Sequence, residues 1–125
     1  MKNILICLLL YLVLSLTSCD YYYTYTYEMT NESNSALIVD LETIIGDFEY
    51  IIDRNETIKL FENVEPGTSR GPEKNNVTFS IKNCTVSRND TLSNKNYLDN
   101  SSWIFSKGRP GEGIYSATVK DDEFK

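Results

Sequence analysis

Hydrophobic side chains are arranged along this chain in two different ways. From Ile4 to Leu16 they are nearly continuous, whereas from Tyr21 onward they alternate with polar residues in short segments broken by Asn, Asp, Ser, Gly and Pro. A period of two puts successive side chains on opposite faces of an extended chain, so the second region predicts strands. In the first strand Tyr21, Tyr23, Tyr25, Tyr27 and Met29 share a face, and Tyr22, Thr24, Thr26 and Glu28 share the other. Asn31 to Ser35 read as a turn, after which Leu37, Val39 and Leu41 point inward, opposite Ile38 and Asp40. Phe48, Tyr50 and Ile52 mark one side of a third strand, Asp53-Arg54-Asn55 a turn, and Ile58 and Leu60 a continuation of the core.

Glu65-Pro66-Gly67 and Gly71-Pro72 predict a loop between two halves of the domain. Beyond it Val77, Phe79 and Ile81 alternate with Thr78, Ser80 and Lys82, predicting a fifth strand that reaches Cys84 or Val86. Residues 88–100 carry the weakest pattern, with Leu92, Tyr97 and Leu98 as the side chains that would pin them to the core. Trp103 and Phe105, then Tyr115, Ala117 and Val119, form a final pair of strands joined across Gly108 to Gly113. Together these segments predict an all-β fold, an immunoglobulin-like antiparallel two-sheet sandwich of about seven strands.

The continuous N-terminal stretch has a different meaning. A basic residue, Lys2, precedes it, small residues end it, and Cys19 follows, which is the three-part layout of a secretory signal. It is shorter than the roughly 20 residues a membrane-spanning helix needs. Leu16-Thr17-Ser18-Cys19 resembles the lipobox of bacterial lipoproteins, in which the cysteine becomes the acylated N-terminus, palmitate included. The expectation is a signal peptide at 1–18, a lipidated Cys19, and one β-sandwich domain over 19–125. Two or more acyl chains anchor stably, because each buried methylene contributes about 0.8 kcal/mol.

With that cut, the cysteine inventory becomes simple. Cys7 leaves, Cys19 carries lipid, and Cys84 is left without a disulfide partner. The chain contains no histidine, which removes Ser-His-Asp and Cys-His hydrolysis and histidine-ligated zinc. Of the 12 Lys and Arg only Lys2 precedes Cys19, whereas all 18 Asp and Glu follow it, so the domain is strongly acidic. Such a surface repels nucleic acid and anionic headgroups and suits a cationic partner. Asp121-Asp122-Glu123, and Asp40 with Glu42, are the visible carboxylate clusters. Neither has the spacing of a calcium loop, so solvation is expected and no metal or other cofactor is assigned.

Most of the chain resembles the small β-sandwich lipoproteins of the Bacteroides group. The similarity is carried by the lipobox, Tyr25-Thr26-Tyr27-Glu28, the Asn-rich turn before Leu37-Ile38-Val39, Asn55-Glu56-Thr57-Ile58, Ser102-Trp103 and the segment from Tyr115 to Phe124. The resemblance implies fold and anchoring. It also gives Asp90-Thr91-Leu92 the look of a protein O-glycosylation site, with Thr91 as acceptor. Surface export in that group goes with an acidic cluster after the lipidated cysteine; here Asp20 stands alone, so the periplasmic face of the outer membrane is expected rather than the cell surface.

A strand that starts at Tyr21 or Tyr22 leaves almost no tether, so the domain would lie close to the membrane with Tyr21, Tyr22 and Tyr23 at headgroup level. Tyr25 and Tyr27 read as core, and so does Trp103; the alternative for Tyr23, Tyr25 and Trp103 is an exposed stacking platform for sugar rings. The function expected is a non-enzymatic binding or accessory module anchored in the cell envelope. Its alternatives are a glycan-binding lipoprotein using those rings, or an envelope inhibitor or assembly partner using the loops Ser69 to Asn76 and Gly108 to Gly113.

Overall fold

A computed structural model of the chain describes residues 1–15 and 20–125. Cys19 and the three residues before it lie outside the described residues. The continuous apolar stretch is a helix, α1 (Lys2–Ser15). Its side chains from Ile4 to Leu12 are exposed and none of them joins the core, which among the described residues runs from Tyr23 onward. No helix among the described residues is long and apolar enough to cross a membrane.

The alternating region forms two four-stranded sheets packed face to face. Their strands are β1 (Tyr21–Asn31), β2 (Leu37–Thr43), β3 (Gly46–Ile52), β4 (Thr57–Gly67), β5 (Ile81–Arg88), β6 (Thr91–Leu92), β7 (Ile104–Lys107) and β8 (Glu112–Val119). Sheet 1 has the order β4-β1-β8-β7 and sheet 2 the order β3-β2-β5-β6. The expected sandwich is therefore present, with eight strands rather than seven and with one parallel pair, β1 beside β8, among antiparallel ones. The chain enters β1, leaves β2, enters β3 and β5, and leaves β4 and β7 all at one end of the sandwich, here called the near end.

Alternation decides which residues reach the core. Tyr23, Tyr25, Tyr27 and Met29 of β1, Leu37, Val39 and Leu41 of β2, and Tyr115, Ala117 and Val119 of β8 are all buried. Two bulges interrupt the rhythm. In β4, Tyr27 faces Phe61 while Glu28 faces Lys59, so Leu60 is an extra residue and both Leu60 and Phe61 turn inward. In β5, Glu42 faces Asn83 while Thr43 faces Ile81; the extra residue, Lys82, lets Ile81 and Cys84 both be buried.

Three expectations change. Val77–Phe79 is a 3₁₀ turn, not the start of the fifth strand, because the Asn76 side chain accepts from the backbone N–H and hydroxyl of Thr78 and competes with strand pairing. Val77 is buried there and Phe79 is left in solvent. Glu65-Pro66-Gly67 lies in β4 rather than in a loop: β4 is an edge strand, where proline loses no ladder bond, and the Tyr23 ring lies so close that a Cβ on Gly67 would sit 2.4 Å from it. Leu92, expected to pin the irregular stretch to the core, is exposed on β6, while Tyr97 and Leu98 do pack inward. A tight turn with Asn89 and Asp90 both at positive φ makes β6 possible, since these residues tolerate that region better than most.

Candidate functional site

Tyr23, Tyr25 and Trp103 are only 8%, 6% and 3% exposed. A ring buried to that degree has no face to offer a sugar, so the stacking platform is withdrawn. Trp103 is instead a core plug, its indole N–H donating to the Tyr97 carbonyl at 2.9 Å and its ring meeting Tyr27 edge-on at 5.6 Å. Tyr27 is itself stacked between Phe61 and Tyr115, with centroids at 4.5 and 4.7 Å. Burial pushes the Cys84 thiol up to about 12, so it stays protonated at neutral pH and is no nucleophile. Thr91 is exposed beside the Asn89-Asp90 turn. Tyr21 and Tyr22 are exposed as expected; Tyr23 is not.

The inward tyrosines of sheet 1 use their hydroxyls to hold the long loop between β4 and β5. Tyr23 donates to the Thr68 carbonyl, Tyr25 accepts from the Glu73 N–H at 3.3 Å, and Tyr115 accepts from the Asn75 N–H at 2.6 Å and donates to its carbonyl at 3.1 Å. Phenylalanine would fill the same core volume and leave this loop untied. The β1 ladder thus positions a loop carrying Arg70 and Lys74, a role that alternation alone does not disclose.

The outer face of sheet 2 gathers two kinds of side chain. Ile51, Ile38, Ser87 and Leu92 lie in register across all four strands, and Ile51, Ile38 and Leu92 are exposed. In the next rows Asp40 stands opposite Glu49, and Glu42 opposite Asp47. Asp40 and Glu42 were expected to be merely solvated, and they are exposed; the strand pairing adds that two further carboxylates face them. Among the described residues no group of three potential ligands converges on a metal position.

The C-terminal carboxylates are the reverse case. Glu123 is buried and accepts from the Tyr97 hydroxyl, from Ser93 Oγ at 2.9 Å and from the Lys120 N–H at 2.7 Å. Burial, and then Glu123, raise the Tyr97 phenol well above its ordinary range. Asp121 accepts from the Asn34 N–H at 2.9 Å and pairs with Arg88, whose guanidinium lies 4.5 Å from the Phe124 ring centroid. The Asn34 N–H, then Arg88, hold the Asp121 carboxyl below its usual range. Of this run, expected to be solvated, Asp121 and Asp122 are exposed and Glu123 is not; Asp121 nevertheless joins Glu123 in a latch through its bonds to Asn34 and Arg88. Beside the latch lies a polar hollow of about 400 Å³ lined by Glu32, Lys95, Ser101, Lys120, Asp122 and Glu123.

No protein-family model, curated protein or solved structure matches this chain. The candidate sites therefore stand on their own geometry.

Proposed function

We propose that the chain is a lipid-anchored lipoprotein of the cell envelope, held through Cys19 at the periplasmic face of the outer membrane, and that it acts as a non-enzymatic binding module for a cationic envelope protein. The observation that carries the binding role is the outer face of sheet 2. Like charges directly opposite one another weaken a sheet, and large aliphatic side chains in water add nothing to its stability. Yet Asp40 with Glu49 and Glu42 with Asp47 are paired in this way, beside exposed Ile38, Ile51 and Leu92. A partner with basic side chains around an apolar patch would relieve both features at once.

The anchoring is supported by the self-sufficiency of the domain. Among the described residues the core lies from Tyr23 onward, and the described part of the N-terminal segment contributes nothing to it. A non-enzymatic role is supported by Cys84, whose burial raises the thiol and lowers its thiolate fraction at neutral pH.

Two measurements test the proposal. Cys19→Ala should move the protein from the membrane fraction to the soluble fraction; continued membrane association under high salt would overturn the lipid anchor. Asp47→Lys with Glu49→Lys should stabilise the domain by about 0.2–1 kcal/mol per corrected pair. In intact cells the same variant should lose the crosslinked adducts formed by the wild type, and an unchanged adduct pattern would remove the binding face.

A further inference from the structure

We propose that the near end of the sandwich inserts into the membrane interface, its apolar tip entering the headgroup layer and its basic loops meeting lipid phosphates. Large apolar residues are exposed in two places besides α1 and scattered sheet positions: the sheet 2 face already described and this end. The hairpin tip between β2 and β3 presents Ile44 and Ile45, at 49% and 54% exposure, and the 3₁₀ turn next to it presents Phe79 at 61%. The Ile44 N–H donates to the Ser80 carbonyl at 3.0 Å, which places hairpin tip and turn side by side. Exposed Tyr21 and Tyr22 open β1 at the same end.

Cations surround this tip. Arg70 and Lys74 lie in the loop held by the tyrosine hydroxyls, and Lys107 and Arg109 at the turn between β7 and β8; all four are exposed. The two loops meet, since a Cβ on Gly71 would lie 3.9 Å from Lys107 Nζ and one on Gly111 3.9 Å from the Tyr23 ring. None of the four forms an ion pair among the described residues; the pairs present there are Lys59 with Glu62 and Arg88 with Asp121. Within these two loops Glu73 is the one acid. Asp20, Glu65 and Glu112 flank them: Glu65 shares a hollow with Glu73 and Lys74 and accepts from Asn63 at 3.0 Å and Ser80 at 3.2 Å, and Glu112 accepts at 3.4 Å from both Thr26 and the Arg109 N–H; Glu42 and Asp47 lie one register position in from the hairpin tip, on the side of the sheet.

The occupant is a lipid surface because of where the chain leads. Residue 20 enters β1 at this end, so an anchor at Cys19 brings these side chains to the bilayer, with Asp20, Glu73 and Glu112 beside them. Amphipathic rings and aliphatic tips gain from the interface, and basic side chains gain from headgroup phosphates. The acidic remainder of the domain would be repelled, which fixes the orientation. The inference extends the anchoring reading, but its test does not use the lipid.

The test is co-sedimentation of the unlipidated domain, residues 20–125, with vesicles of phosphatidylethanolamine and phosphatidylglycerol, compared with phosphatidylcholine alone. That piece carries the whole core. Binding should favour the anionic vesicles and weaken as salt rises. Ile44→Ser, Ile45→Ser and Phe79→Ser together should lower partitioning about tenfold or more, because each side chain withdraws apolar area from the interface. Arg70→Glu, Lys107→Glu and Arg109→Glu should remove the salt dependence and the preference for anionic vesicles. The control, Ile38→Ser, Ile51→Ser and Leu92→Ser, deletes as much apolar surface from the sheet 2 face and should bind as the wild type does. Melting curves should show all three variants folded, since the substituted residues are exposed. No binding by the wild type, an equal loss in the control, or lipid-free dimerisation that the tip variant abolishes would each overturn the proposal. Retention of Cys19→Ala on the membrane when Ile44, Ile45 and Phe79 are also changed to Ser would instead count against the anchor alone.

Discussion

The two ends of the sandwich handle polar and apolar groups in opposite ways. At the far end the protein consumes its own polar side chains. Asn31 is fully buried there; its carbonyl oxygen accepts from the Ser33 N–H and hydroxyl at 2.9 and 2.7 Å, and its amide donates to the Ser35 and Ile52 carbonyls at 2.8 and 2.9 Å. Glu123 and Asp121 close the C-terminus onto the same end. At the near end Ile44, Ile45 and Phe79 stand in solvent and four cations lack ion pairs among the described residues. One end satisfies its polar groups within the chain, and the other leaves apolar and basic side chains exposed. The difference teaches that, where the described cysteines Cys7 and Cys84 form no disulfide, side-chain hydrogen bonds gathered at one end can close the sandwich while the other end leaves apolar and basic side chains in solvent.

The largest effect expected from this contrast is at the far end. Asn31→Ala takes the amide donor from the buried Ile52 carbonyl and the acceptor from the Ser33 N–H, while Ser33 Oγ still reaches the Ser35 carbonyl, and should cost about 3 kcal/mol. Glu123→Ala leaves the Tyr97 and Ser93 hydroxyls and the Lys120 N–H without their acceptor and should cost about 2 kcal/mol. Urea unfolding measures both. If either variant melts as the wild type does, the far end is not the stabilising one.

Alkaline pH should produce the next effect. A thiol or phenol whose pKa is raised by folding is held protonated in the native state, so its contribution is complete below the unfolded pKa and is lost as pH climbs through the folded one. Cys84 rises from 9.0 to about 12 and Tyr27 from 10.0 to about 12, with Tyr97 raised in the same sense. Stability should hold from neutral pH to about 9 and fall steadily toward 12. Because burial is the first cause of the Tyr97 shift and Glu123 the second, Glu123→Ala should keep the alkaline limb while lowering the plateau. A domain equally stable at pH 7 and 11 would contradict this.

The smallest effect belongs to the near end. Tyr115→Phe keeps the ring stacked on Tyr27 and removes only the two bonds to Asn75. It should loosen the loop by about 1 kcal/mol, with faster amide exchange confined to the segment from Thr68 to Asn75. Uniformly faster exchange would mean that the hydroxyl supports the core rather than the loop.

Much of this contrast hides from the sequence for identifiable reasons. Tyr23, Tyr25 and Tyr27 alternate as core residues should, yet the same alternation is compatible with an exposed aromatic ladder; only the burial of their rings between two sheets decides. Asp121-Asp122-Glu123 reads as a solvated run because the partners that occupy it, Asn34, Arg88, Ser93 and Tyr97, lie far from it along the chain. Val77, Phe79 and Ile81 alternate like a strand, and a single Asn76 cap redirects Val77 and Phe79 into a turn, leaving Ile81 to open β5.

What the sequence determined by itself is local: where strands run, which side of each faces inward, and where turns fall. Those follow from the two-residue period and from the backbone preferences of Asn, Asp, Gly and Pro, none of which requires knowledge of a partner strand. The tertiary structure alone decided which strands pair, where the bulges at Leu60 and Lys82 reset the inward face, and which distant loops meet. Ile44, Phe79, Arg70, Lys107 and Tyr21 share one end because hydrogen-bonded ladders return the chain to it repeatedly. Long-range pairing is set by the packing of the whole core, and no local pattern encodes it.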